Sequence, residues 1–203
     1  MSSEIQKSEI QKIIKTFKSD LTQYAKHCLK IVDKQGKLIP LNFNAAQIQL
    51  DKQINEQYSH HNRVRMLILK SRQTGISTYC QARGFWKTVS AQNQNAVVVS
   101  HLNESTKAIF SMVRNFYDNL PHPVVTPELK ESTSNSMAFT HGSRWRIATA
   151  RTGEVGRGWT TNYLHGSEVA FYPNADIIPG LLQTGTEAES EILLESTANG
   201  AGG

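Results

Sequence analysis

The sequence predicts an α/β fold: a mostly parallel central sheet flanked by helices, with a helical segment in front of it. Three observations lead there. Val64 to Leu69 and Ala96 to Ser100 are short apolar runs with the length and β-branched content of buried strands. Each is followed by a stretch with helical spacing, Ser77 to Val89 and Glu104 to Asn119. Gly75 marks the passage from the first strand into the first of these helices. Strands that alternate with helices need crossover connections, so they run largely parallel.

The remaining elements follow in chain order. Ile10, Ile13, Ile14, Phe17, Leu21, Tyr24 and Cys28 fall on one face of a helix spanning 5–30. Asp33 to Lys37 reads as a turn, Pro40 to Asn44 as extended chain, and Ala45 to Tyr58 as a helix. Pro121 to Ser136 holds three prolines and many polar residues and reads as a loop. Met137 to Thr140 and Arg144 to Thr149 flank a His-Gly-Ser turn and read as a hairpin. Tyr163 to His165 and Glu191 to Ser196 complete the strand candidates. The organisation expected is a basic helical arm over 1–38 and one α/β domain over 39–203.

Composition sets outer bounds. The 203 residues suffice for one large domain, and 38% hydrophobic with 19% charged residues fits a soluble globular class. No apolar run reaches the roughly 18 residues of a membrane span, and the N-terminus lacks a signal-peptide layout, so a cytoplasmic protein is expected. Cys28 and Cys80 have no metal or redox spacing and read as reduced thiols. His60, His61, His101, His122, His141 and His165 share no ligand spacing and read as non-metal. The net charge is +5. Residues 1–38 hold eight lysines and four acids, which concentrates the excess in the arm. That arm is either a solvated helix face or a contact for nucleic-acid phosphates.

The chemistry begins at the first strand-to-helix turn. Lys70, Ser71, Arg72, Gln73, Thr74, Gly75, Ile76, Ser77 and Thr78 run from the strand into the helix. A phosphate-binding loop of the type G-x-x-x-x-G-K-[ST] uses backbone amides, a lysine and a magnesium-binding hydroxyl at this place. Gly75 fills the second glycine position and Ser77 the hydroxyl position. Lys70 stands at the first glycine and Ile76 at the lysine. The chemistry needs a cation near the phosphates, not at one slot, so Lys70 or Arg72 can reach back across the loop.

Four further segments carry matching chemistry. Phe43 and Gln47 lie about thirty residues upstream, where an amide can read an adenine edge and an aromatic ring can stack on the base. Ser167 and Glu168 follow the Tyr163 strand, where Asp-Glu is usual; Glu168 is the candidate that polarises the attacking water, and Ser167 can hold a magnesium-bound water. Arg157 sits between Gly156 and Gly158 with Arg151 behind it, and a mobile arginine can supply charge to a transferring phosphoryl group. Ser196 and Thr197 close the last strand candidate, where hydroxyls can sense the γ-phosphate through water.

This set resembles the ATPase domain of tailed-phage terminase large subunits. Lys70 at the start of a deviant loop, the Gln47 element, Arg157 just before the Ser167-Glu168 line (similar to a Walker B variant) and the Glu195-Ser196-Thr197 segment occur in that family's order. Val97 to Thr106 also looks like the strand-to-helix motif that follows Walker A in helicase-like ATPases. The resemblance covers roughly residues 40 to 200. It implies a P-loop NTPase fold of the RecA-like (ASCE) type, with Lys70 as the phosphate lysine, Arg72 as a second contact, and Arg157 acting in trans on a neighbouring subunit. It implies ATP and Mg2+ as ligands, with Ser77 and Ser167 toward the metal. The implied partners are double-stranded DNA, a portal protein, a small terminase subunit and further copies of the chain in a ring. No membrane is implied, and the location would be the host cytoplasm, at the procapsid portal. The family's nuclease part would lie beyond this chain. Two other readings stay open: a helicase-like nucleic-acid translocase, and a nucleotide-dead module that binds DNA or portal.

Overall fold

The computed structural model describes residues 2–121, 127–150, 160–174, 176–185 and 189–200. The single helix predicted over 5–30 is two helices, α1 (Ser2–Ser19) and α2 (Leu21–Cys28). Asp20 breaks it: its backbone is extended, and its carboxylate accepts from Gln23 N at 2.9 Å as the N-cap of α2. β1 (Lys30–Val32) and β2 (Leu38–Pro40) then pair antiparallel. The turn between them is tied by Asp33 Oδ1, which accepts from Gln35 N and Lys37 N. Leu21, Tyr24, Ala25, Cys28 and Leu29 are buried in the main core. From Leu21 onward, therefore, the N-terminal segment packs as part of the same body, while the described side chains of α1 stay largely exposed.

α3 (Ala45–His61) leads to β3 (Val64–Leu69), α4 (Ile76–Ser90), β4 (Asn95–Ser100) and α5 (Asn103–Asp118). β5 (Leu129–Ser132), β6 (Ser136–Phe139) and β7 (Arg144–Thr149) follow. β8 (Tyr163–Ser167), α6 (Ile177–Leu182) and β9 (Glu191–Ser196) end the series. The 121–136 loop prediction needs one correction. It contains β5, an edge strand of mostly exposed side chains, so no apolar alternation announces it.

Among the described residues the sheet has seven strands in the order β3-β9-β8-β4-β7-β6-β5. The pairs β3/β9, β9/β8, β8/β4 and β4/β7 are parallel, and β6 and β5 extend the sheet antiparallel. The chain thus leaves a gap between β3 and β4 that β8 and β9 fill later. Side-chain alternation divides the core between the two faces. Val98, Tyr163 and Leu193 pack with α2, α4 and α5 on one face. Val97, Val99, Leu164, Ile192 and Leu194 pack with Leu181 of α6 on the other. The expected α/β class with a mostly parallel sheet and flanking helices is what the chain forms.

α4 is held against the sheet by charge and by close approach. The buried Arg83 donates to Glu191 (Nε to Oε2, 2.7 Å), Asp51 (Nη1 to Oδ1, 3.0 Å) and Asn55 (Nη2 to Oδ1, 3.1 Å). Lys87 Nζ adds a 2.9 Å contact to Glu191. Burial alone would raise the Glu191 carboxyl; Arg83 and Lys87 outweigh it and hold it down at about 2. Near the middle of α4, a Cβ on Gly84 would meet the Tyr163 ring at 2.5 Å. Tyr163 is itself buried and donates to Cys80 O at 2.6 Å, so the ring has little room to yield. Gly84→Ala is expected to lower stability by about 1–3 kcal/mol through overpacking, although alanine favours a helix by about 1 kcal/mol. Thermal melting checks it: a midpoint at or above that of the wild type would mean that the helix moves off the sheet at no cost.

Candidate functional site

Loops at the carboxyl ends of parallel strands form the binding crevice of open α/β sheets. Because β9 inserts between β3 and β8, the loop after β3 and the ends of β8 and β9 meet at one place. The register aligns Leu69 with Ser196 and Ser167 with Glu195. Residues about a hundred positions apart are thereby brought within hydrogen-bond distance.

Lys70 is the first residue past β3, and its N–H donates to Ser196 O at 3.0 Å. Its side chain is nearly buried and turns inward. Nζ lies 2.8 Å from Glu168 Oε1 and 3.0 Å from Glu195 Oε2. Burial would lower the Lys70 pKa, but the bonds to Glu168 and Glu195 win and raise it. Arg72, the other candidate cation, is exposed and makes no ion pair among the described residues. The structure therefore brings Lys70, rather than Arg72, to the acids at the strand ends.

Glu168 follows β8 with φ +56 and ψ +50, a left-handed conformation that is uncommon for a side-chain-bearing residue. Its carboxylate is fastened on both sides. Oε1 accepts from Lys70, and Oε2 accepts from Thr197 N and Thr197 Oγ1, both at 3.0 Å. Ser196 Oγ lies 3.4 Å from Oε2 and accepts from Ala170 N at 3.2 Å. Partial burial pushes the Glu168 carboxyl up, but the Lys70 and Thr197 contacts hold it below its ordinary value, so it is ionised at neutral pH. Lys70, Glu168, Ser196 and Thr197, predicted separately, form one cluster.

Ser77 and Ser167 join the cluster through a residue that the sequence motifs do not single out. Both hydroxyls donate to Glu195 Oε1 at 2.9 Å. Glu195 is fully buried, and His165 Nε2 lies 3.4 Å from the same oxygen. Burial raises this carboxyl, and the neighbouring His165 and Lys70 more than offset that, holding it at about 2. A signal for it exists in the sequence: an acid directly after the apolar run Ile192 to Leu194, where buried charge is rare unless paired.

The loop itself is braced from outside. Gly75 adopts φ +76 as the N-cap of α4, and among the described residues no side chain caps that helix. Its first N–H groups are thus left for another acceptor. Gln47, the expected adenine reader, is tied to the loop. It is buried, accepts from Asn44 N at 2.9 Å, and donates from Nε2 to Gly75 O at 2.7 Å. Asn44 completes a capping box on α3 and donates to Thr74 O at 3.0 Å. As it stands, Gln47 is a strut that fixes the loop. A Cβ at Gly75 would lie 2.8 Å from this amide, so the loop glycine is needed for approach as well as for φ. Phe43 is half-buried and packs edge-on against Tyr79, with ring centroids 5.2 Å apart.

Ser71, Arg72 and Gln73 form the exposed crest of the loop, and Lys34 Nζ reaches Gln73 Oε1 at 3.3 Å. Thr74 Oγ1 folds back to Ser71 O at 3.1 Å. Ile76, in the usual lysine slot, is buried in the core. Thr78 lines a cleft with Ile31 and Met112 beside α5. Arg151 and Arg157 lie outside the described residues.

Known structures share this architecture. The chain superposes on the large terminase of bacteriophage HK97 with a TM-score of 0.70 and 11% identity, over 88% of this chain and 37% of that one. A variant of the ATPase domain of the Thermus phage P74-26 large terminase matches with a TM-score of 0.57 and 16% identity, over 78% of this chain and 66% of that one. A large terminase from a thermophilic bacteriophage, in a complex with ADP, matches with a TM-score of 0.56 and 12% identity, over 76% and 38%. No protein-family model matches the sequence, and no curated protein does. The chain spans well under half the length of the HK97 protein and of the ADP-bound one. It has the fold of phage large-terminase ATPase domains, as the resemblance implied.

Proposed function

We propose that this chain is the ATPase motor domain of a phage terminase large subunit, hydrolysing ATP to drive double-stranded DNA into a procapsid. The observation that carries the reading is the convergence of Lys70, Glu168, Ser77 and Thr197 where β3, β8 and β9 end beside the uncapped N-terminus of α4. The ADP held by the thermophilic-phage terminase supports a nucleotide ligand.

In this reading the amides from Ser71 to Thr78 and the start of α4 receive the phosphates. Lys70 leaves its carboxylate partners and turns to the β- and γ-phosphates, where its charge offsets that of the transferring group. Glu168, ionised and tethered by Thr197, is freed on its Lys70 side to accept a hydrogen bond from the attacking water. Thr197 and Ser196 touch that same carboxylate, so a change at the γ-phosphate passes through Glu168 into the end of β9. Arg157, with Arg151 behind it, supplies the trans-acting cation, which requires a homo-oligomeric ring. The ring works on a portal protein with a small terminase subunit, in the host cytoplasm, and the lysines of α1 meet DNA phosphates. Among the described residues no helix is long and apolar enough to cross a membrane.

Magnesium fits the residues present. Two serine hydroxyls and a carboxylate converge, an all-oxygen set suited to a hard dication. Among the described residues no group of three His, Cys, Asp or Glu side chains is set to hold a metal alone, and an ion bound together with nucleotide phosphates does not need one. Ser77 would hold it, and Ser167 through water. Bound there, it would neutralise charge building on the phosphate oxygens.

The test is equilibrium binding of Mg–ATP to the wild-type chain, followed by phosphate release. Saturable binding below about 1 mM with measurable turnover is expected. No binding at millimolar nucleotide would leave the DNA- or portal-binding module instead. Stimulation by single-stranded but not duplex nucleic acid would favour the helicase-like translocase.

A further inference from the structure

β8 ends in Ser167, at the place where P-loop ATPases carry the aspartate that shares magnesium with the loop hydroxyl. A serine there adds no charge. The carboxylate that meets the loop hydroxyl comes from the neighbouring strand. Ser77 Oγ and Ser167 Oγ both donate to Glu195 Oε1 at 2.9 Å, and Ser167 and Glu195 are direct partners in the β8/β9 register. We infer that Glu195 is the acidic residue of the metal site, moved one strand over from β8 to β9. This rests on the ATPase reading above.

Charge balance argues for it. Glu195 is fully buried, and a lone buried carboxylate is costly. In the nucleotide-free arrangement Lys70 Nζ, 3.0 Å from Oε2, is its cation. The ATPase reading sends Lys70 to the phosphates. Glu195 would then keep two serine hydroxyls and the His165 ring, with no fixed positive charge in Lys70's place among the described residues. A dication arriving with the nucleotide restores the balance at the oxygen that Ser77 already addresses. Magnesium in phosphate sites takes one or two carboxylates and leaves the rest to phosphates and water, so one glutamate suffices.

The experiment separates metal from nucleotide. Binding of a fluorescent ATP analogue is measured with EDTA and across Mg2+ and Mn2+ titrations, without relying on turnover. The wild type is expected to bind more tightly with metal than without. Glu195→Gln is expected to keep its metal-free affinity and to need about 10- to 100-fold more metal. Adding Ser167→Asp to Glu195→Gln returns a carboxylate to the β8 position and should recover most of that loss. An unchanged metal requirement in Glu195→Gln overturns the assignment while leaving the ATPase reading intact. No nucleotide binding by the wild type, with or without metal, sinks both.

A second measurement needs no change at position 195, in case Glu195→Gln does not fold. Glu168→Gln protein carrying 13C-carboxylate glutamate is loaded with Mn2+ and ADP and examined by electron–nuclear double resonance. A 13C coupling is expected from Glu195; its absence overturns the proposal.

Discussion

Glu168→Gln protein is expected to bind Mg–ATP within a few-fold of wild type and to release phosphate at least about 100-fold more slowly. The substitution is nearly isosteric; it removes the charge and turns one acceptor into a donor. The phosphates are held by the loop amides and Lys70, which it leaves in place. What it loses is the carboxylate that would accept from the attacking water. An amide also cannot reproduce the present bonding. Oε1 accepts from Lys70 and Oε2 accepts twice from Thr197, so an NH2 on either side sets donor against donor. Binding by fluorescence and single-turnover phosphate release measure the two effects separately. Wild-type turnover in this variant would remove Glu168 from the chemistry.

Lys70→Ala is expected to abolish nucleotide binding and also to destabilise the fold, and the two losses can be separated. Removing Lys70 leaves Glu195 buried without its cation, and breaking a buried pair typically costs about 3–5 kcal/mol. A double variant, Lys70→Ala with Glu195→Gln, removes that stranded charge and should recover much of the melting temperature. Nucleotide affinity should not return, because the phosphate cation is still missing. Arg72→Ala changes an exposed residue with no ion pair among the described residues, so stability should move by less than about 0.5 kcal/mol. Nucleotide affinity equal to wild type in Lys70→Ala, or lost only in Arg72→Ala, would transfer the phosphate role to Arg72.

Some of the fold was legible because its signals are local. β3, β4 and β9 are apolar runs of strand length, and Gly75 marks the strand-to-helix turn. The break at Asp20 was missed because the apolar spacing runs through it, although Asp20 and Gln23 have the spacing of a helix start. Gln47 was read only as a candidate adenine contact, yet Asn44 and Gln47 also spell a capping box in the sequence itself. β5 left no trace, since an exposed edge strand has no buried face to impose alternation. Glu195 was passed over because attention in its segment went to Ser196 and Thr197, although an acid after the apolar run Ile192 to Leu194 was a signal; its partners lie across the sheet.

By itself, the sequence determined the apolar strands and the longer helices, where the loop must turn, and which residue types are available for phosphate chemistry. Those follow from side-chain periodicity and backbone preference within a few residues. The tertiary structure alone decided that β9, last in the chain, lies between β3 and β8. That insertion puts Lys70 on Glu168 and Ser77 on Glu195, across 98 and 118 residues. Strand order depends on how whole faces pack against helices, and no local pattern encodes it. Lys70 and Arg72 could both be named as candidate cations from the chain; that Lys70 and Glu195 meet could be seen only once the strands were side by side.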